Sequence, residues 1–136
     1  MALNVSLLRE SFALVTERQP QLTHRFYEIL FERYPQARPL FGGNASAKQE
    51  KMLTEALIAV MDHLEDASWL KDTLGGLGRK HLEYGVTPEM YGWVGDSLLA
   101  TLVEVAGDAW SPALAAAWIE AYGAISSLMQ SGARRS

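Results

Sequence analysis

Cysteine is absent from the 136-residue chain. This excludes a disulfide, a thiolate metal site and a cysteine nucleophile, so any metal must be held by nitrogen or oxygen donors. Positive charge is also sparse: 12 Lys and Arg stand against 16 Asp and Glu, a formal net charge of −4. The Arg134-Arg135 pair is too short to count as a basic run, and nucleic acid is not expected as the main partner. The opening MALNVSLLRESF is interrupted by Arg9 and Glu10 before a long apolar run can form. Neither a signal peptide nor a membrane span is expected, and the expected location is the cytoplasm.

Several catalytic signatures are missing too. There is no G-x-S-x-G elbow and no Gly-Lys-Ser/Thr, and the GGLG at 75–78 is neither a dinucleotide fingerprint nor a P-loop. Nucleotide cofactors and serine nucleophiles are therefore not expected. Strand alternation, hairpin turns, internal repeats and low-complexity stretches are likewise not found.

What the chain does contain is hydrophobic helix. At 49% hydrophobic residues it can bury one sizeable core, and the expectation is a single domain over residues 1–136. Val5, Leu8, Phe12 and Val15 recur at helical spacing behind a capping Asn4, predicting a helix to Arg18. Gln19-Pro20 breaks it, and Leu22, Phe26, Leu30 and Tyr34 form the next stripe with Tyr27 beside it. The prolines of PQARPLF allow only a short tight turn delivering Phe41, followed by a Gly42-Gly43-Asn44 loop. A longer helix is predicted from about Ser46, a possible cap, to His63. Asp66-Ala67-Ser68 interrupts, and another helix runs from Trp69 to Glu83. Thr87-Pro88 and Ser111-Pro112 each open a further helix. The inner stripe of the last one is Leu114, Trp118, Tyr122, Ile125 and Met129. The fold class is all-α, with about seven helical segments.

Chemistry then rests on three histidines, none in an H-x-x-x-H pair that would present two zinc ligands on one helix turn. His24, near a helix start, reads as solvated. His63, at a helix end, reads as a structural cation on the dipole. His81 follows Gly75, Gly76 and Gly78, each costing about 1 kcal/mol against alanine within a helix. A helix so weak in propensity would make sense if a bound cofactor held it, and a planar haem wedged between aromatic-rich helices would serve.

At these residues the chain resembles the bacterial single-domain haemoglobins and the globin domain of flavohaemoglobins. The matching words are FYEILFERYP, PLF ending in Phe41, the Gln49-to-Leu53 segment, KHLEYGV around His81, and EMYGWVGDSLLATL followed by AWIEAYG. They run in order over nearly the whole chain. The resemblance implies a three-over-three globin fold around haem b, with His81 as the proximal iron ligand and Phe41 packed on the porphyrin. It implies Tyr27 and Gln49 as distal polar groups, with Leu53 as their apolar neighbour. Leu77, Val86 and Val94 would line the cofactor, and Lys80 would reach a propionate. Tyr91, ten residues beyond His81, has the family spacing for a tyrosine that fixes the imidazole by hydrogen bonding. Its usual partner, a glutamate late in the last helix, is not matched: the region ends SGARRS with Arg135, and no acid follows Glu120. This weakens the expectation of strong electron donation through the proximal ligand.

A phenol or amide donor aimed at bound O2 stabilises the negative charge that O2 draws from iron in a low-dielectric pocket. Gln49 and His63 lie fourteen residues apart, about 21 Å along a helix, so only one can approach the same iron, and position favours Gln49. The function implied is reversible binding of O2, NO or CO by a monomer or homodimer. The enzymatic alternative is nitric oxide dioxygenation, for which 136 residues leave no room for flavin and nicotinamide modules, so a separate reductase would be needed. Peroxidase-like chemistry is disfavoured by the lack of a distal histidine. Without haem, the chain would be an unspecified helical binding module.

Overall fold

The computed structural model describes residues 3–41 and 47–134. Helix α1, Val5–Arg18, begins where the sequence predicts, with the Asn4 side-chain oxygen accepting from Leu7 N–H at 3.2 Å. Helix α2 spans Leu22–Arg33, and the proline-rich PQARPLF is a 3-10 segment, Pro35–Phe41. Helix α3 covers Ala47–Asp62. Its expected cap, Ser46, and the Gly42-Gly43-Asn44 loop lie outside the described residues.

Helix α4, Ala67–Glu83, starts two residues before Trp69. The physical reason is Asp66, read from sequence as an interruption: its carboxylate accepts from Trp69 N–H at 3.0 Å and caps the helix. Helix α5, Pro88–Ala106, and helix α6, Pro112–Arg134, both open on proline, whose missing N–H costs nothing in a first turn. Ser111 Oγ accepts from Leu114 N–H at 3.2 Å at the start of α6. A short 3-10 turn, Gly107–Ala109, joins the two. No strand occurs among the described residues, and no described helix is long and apolar enough to cross a membrane.

Two apolar clusters hold these elements. The larger joins Leu8 and Val15 of α1, Leu102 and Ala106 of α5, Trp118 and Ala121 of α6, and Val60 and Met61 at the end of α3. Its buried polar atoms are paired: Trp118 Nε1–H donates to Ser11 Oγ at 2.9 Å, and Ser11 donates to Leu7 O at 2.7 Å. The smaller cluster, Phe26, Tyr27, Leu30, Phe31 and Ala37, belongs to α2 and the 3-10 segment. Arg25 clamps α2 to α5 through two bonds to the Glu104 carboxylate, at 2.6 and 2.7 Å.

The glycines of α4 have a different role from the one their helix propensity suggests. Gly78 lies directly on the backbone of Met129, and Gly75 on Gly132, so a Cβ at Gly78 or Gly132 would collide with the facing main chain. Small residues thus bring the α4 and α6 backbones together, and packing between the two helices compensates the weak propensity. Gly76 differs: a Cβ there would meet only the Arg79 guanidinium, at an ordinary 3.6 Å.

Gly132→Ala or Gly78→Ala is therefore expected to push the helices apart and destabilise the fold by about 1–3 kcal/mol. Gly76→Ala should be neutral or stabilising by up to about 1 kcal/mol. Thermal unfolding followed by circular dichroism separates the two classes. Equal melting temperatures for all three variants would refute the close-packing role.

Candidate functional site

The smaller cluster places a phenol in an apolar wall. Tyr27 is 5% exposed. Its ring meets Phe26, Phe31 and Phe41 with centroids at 5.0, 6.0 and 5.3 Å, the contacts to Phe26 and Phe41 being edge-on. Leu53 of α3 and Val94 of α5 pack against the same group. Burial pushes the Tyr27 phenol above its ordinary range, the hydrogen bond from Gln49 works the other way, and the charge of Glu50 adds to the rise. The phenol is therefore protonated near neutrality. Gln49 Nε2–H donates to its oxygen at 3.2 Å, which leaves the phenolic hydrogen free of that bond.

Two further contacts fasten α3 to α2 beside that pair. Thr23 and Thr54 share a hydroxyl hydrogen bond of 2.9 Å, and His24 Nδ1 lies 2.8 Å from Glu50 Oε2. His24 is thus exposed, as its position suggested, but paired rather than simply solvated.

On α4, His81 is half-buried and its Nδ1 lies 2.8 Å from Leu77 O. A carbonyl only accepts, so Nδ1 carries the hydrogen, and in the neutral ring Nε2 is the nitrogen with the lone pair. Tyr91 flanks the imidazole, its ring centroid 6.4 Å away. The hydrogen bond that orients the ring thus comes from the helix's own carbonyl, with Tyr91 beside it as a packing neighbour. The His81 carbonyl accepts from Tyr84 N–H at 3.1 Å and from Val86 N–H at 3.0 Å, across a turn that requires Gly85 at φ +88°. Arg135 lies outside the described residues. Glu120, the last acid, has a buried Oε1 without a hydrogen-bond partner among the described residues.

His63 makes a similar bond, Nδ1–H to Ala59 O at 2.7 Å, but its ring stacks on Trp69 at 3.9 Å between centroids. That leaves it a structural contact at the end of α3. Consecutive in sequence, α3 and α4 nevertheless do not pack closely on one another: α3 rests on α2, and α4 on α6. An open groove of about 640 Å³ lies between them, lined by Ala56 from α3 and by Thr73, Gly76, Leu77, Arg79, Lys80 and Glu83 from α4. Such a volume falls within the range of about 300–1,000 Å³ common to cofactor and ligand sites.

Several contacts escape a reading of sequence alone. Trp93 packs against the Tyr27 cluster and stacks on Tyr34 at 5.6 Å, while Tyr34 O–H donates to Asp96 at 2.6 Å. Tyr122, read from sequence as part of the α6 stripe and of the AWIEAYG word but given no role, donates its hydroxyl to the Tyr91 carbonyl at 2.6 Å. It can do so because Gly95 makes room: a Cβ there would sit 2.6 Å from the Tyr122 ring. The recurrence of Tyr91 and Gly95 one helical turn apart is the signal that could have linked them.

The chain matches the globin family over residues 24–129. It is 34% identical over 121 residues to a flavohemoprotein of Rhodopirellula baltica, covering 88% of this chain and 30% of that protein. It thus spans about a third of the length of such relatives. An uncharacterized globin-like protein of Aquifex aeolicus is 32% identical over 118 residues, covering 87% of this chain and 83% of its own length. A bacterial globin from Campylobacter jejuni has the same fold, with a TM-score of 0.78 at 23% identity over 96% of this chain and 94% of that one. Helical architecture, family match and structural likeness agree: this chain belongs to the globin family.

Proposed function

We propose that the protein binds haem b between α3 and α4 and uses it to hold O2 or another small diatomic gas reversibly. What supports this reading is a buried, protonated phenol on α2 bonded to Gln49 of α3, and a histidine on α4 whose Nδ1 is tied to the carbonyl of Leu77, a residue that lines the groove between α3 and α4. The residues fit the group. The groove has the volume of a cofactor site, with Ala56 and Leu77 as apolar lining and Lys80 as a cation for a propionate, while Phe41, Leu53 and Val94 offer apolar surface beside Tyr27. Haem, when bound, would supply an iron able to take a diatomic gas reversibly.

His81 would hold the iron through Nε2, and its Nδ1–H bond to Leu77 O sets the ring's orientation and raises its basicity. Tyr27 donates its hydroxyl hydrogen to the gas, and Gln49, by donating to the phenol oxygen, polarises that hydroxyl and holds it in place. Tyr91 limits rotation of the imidazole by contact. The apolar wall around Tyr27 keeps water away, which strengthens the hydrogen bond that it makes.

Nitric oxide dioxygenation, with electrons delivered by a separate reductase, is the second reading. It is favoured by the identity to flavohemoproteins.

His81→Ala should lose stable haem and its Soret absorption, whereas His63→Ala should keep both; retained haem with an unchanged ferrous–CO spectrum in His81→Ala would defeat the assignment. Tyr27→Phe is expected to speed O2 release about tenfold, the effect of about 1–2 kcal/mol of lost hydrogen bonding. An unchanged off-rate in stopped-flow would remove Tyr27 from the distal role. Mixing the oxygenated protein with NO, NADH and a reductase separates the two readings: sustained nitrate formation marks the enzyme, a single stoichiometric burst the carrier.

A further inference from the structure

Helix α3, which carries Gln49, is held at two ends by different means. Its C-terminal end is built into the main core through Val60 and Met61, and Arg9 Nε–H donates to the Met61 carbonyl at 2.8 Å. Its first six residues, 47–52, are exposed except for Gln49 and Glu50, which are half-buried. Both of these end on α2: Gln49 on the Tyr27 phenol and Glu50 on the His24 imidazole. Thr54, one turn further, donates to the Glu50 carbonyl at 3.0 Å and shares a hydrogen bond with Thr23. Before Leu53, which packs on the Tyr27 cluster, the first turn of α3 reaches α2 through polar contacts, and the charged one adjoins the residue that sets the distal hydrogen bond.

We propose that His24 and Glu50 are positioning residues for the distal amide: their ion pair holds the first turns of α3 on α2, keeps Gln49 on Tyr27, and so links retention of the bound gas to the charge of His24. The proposal rests on the gas-binding reading of Tyr27 and Gln49. Because Gln49 and Glu50 are neighbours on one rigid helix, α3 cannot leave His24 without also drawing the amide from the phenol. An exposed ion pair is worth little to global stability, but here it acts on the one end of α3 that lacks core packing.

The direction of the pH effect follows from the groups that face His24. Glu50 reaches it from α3, and Glu28, one turn along α2, lies 3.9 Å from Nε2. On α5 the nearest acid, Glu104, is taken by Arg25; on the 3-10 segment Arg38 lies over the Phe31 ring; Lys48 and Lys51 of α3 are exposed. The hydrogen bond and charge of Glu50, with a smaller contribution from Glu28, raise the His24 pKa above its ordinary 6.5. A raised folded-state value means that the pair contributes fully below the unfolded pKa and weakens as pH rises through the folded one. Gas retention is therefore stronger on the acid side.

The test is O2 dissociation from the haem-loaded protein between about pH 6 and about pH 9. In the unmodified protein the off-rate should rise about two- to fivefold with pH, with a midpoint above that of free histidine. His24→Gln and Glu50→Gln should release O2 at the faster rate throughout. His24→Lys, whose charge does not titrate in this window, should restore slow release with a flat profile. In the ferrous–CO protein, the Gln49 side-chain amide signals should move in nuclear magnetic resonance with the His24 titration. A flat profile in the unmodified protein, or one that persists in His24→Gln, overturns the positioning role. If Tyr27→Phe speeds release while the His24 and Glu50 variants change nothing, the distal reading stands and only this proposal fails. If Tyr27→Phe changes nothing, the distal reading itself fails, and with it the link to gas retention.

Discussion

The contact between the α4 and α6 main chains fixes more of this structure than any side chain does. Gly75 and Gly78 on one helix and Gly132 on the other remove the Cβ atoms that would keep the backbones apart, so the two axes meet at a separation set by peptide groups. The surroundings of His81 are registered from that line: Leu77 lies between the two glycine contacts, and its carbonyl orients the imidazole. Such a contact sacrifices local helix propensity for tertiary packing, and dispersion between closely apposed backbones is what compensates.

The opposite wall is built on another principle. Tyr27 is fixed by aromatic neighbours on three sides, whereas the helix over it is joined to α2 through an amide, a hydroxyl pair and an ion pair. Aromatic packing is insensitive to solvent conditions, while polar contacts near a protein surface respond to salt and pH. A rigid donor and an adjustable cover are thus combined within one site.

Much of this was legible in the residues. Helix starts at Asn4, Pro88 and Pro112 follow from capping and proline geometry, which are local and depend on a few adjacent residues. Residue words around Tyr27, Phe41 and His81 were specific enough to indicate the family. What was not legible depended on partners remote in the chain. The glycines of α4 read as a weakness because their counterparts, Met129 and Gly132, lie about fifty residues away. Asp66 read as a break because an acid between helices can cap or interrupt, and only the Trp69 N–H in front of it decides. His24 read as solvent-facing because nothing in its own helix announces Glu50. The bond from Tyr122 to the Tyr91 carbonyl was hidden for the same reason, needing Gly95 to clear the way.

The turn after α4 has a mechanical consequence. With its carbonyl held by both Tyr84 and Val86, and its ring tied to Leu77, His81 has no soft joint of its own. A pull or push on the imidazole cannot be absorbed by the corner at Gly85, and travels instead along α4 into the glycine seam and on to α6. The last helix is thus the brace behind the histidine helix.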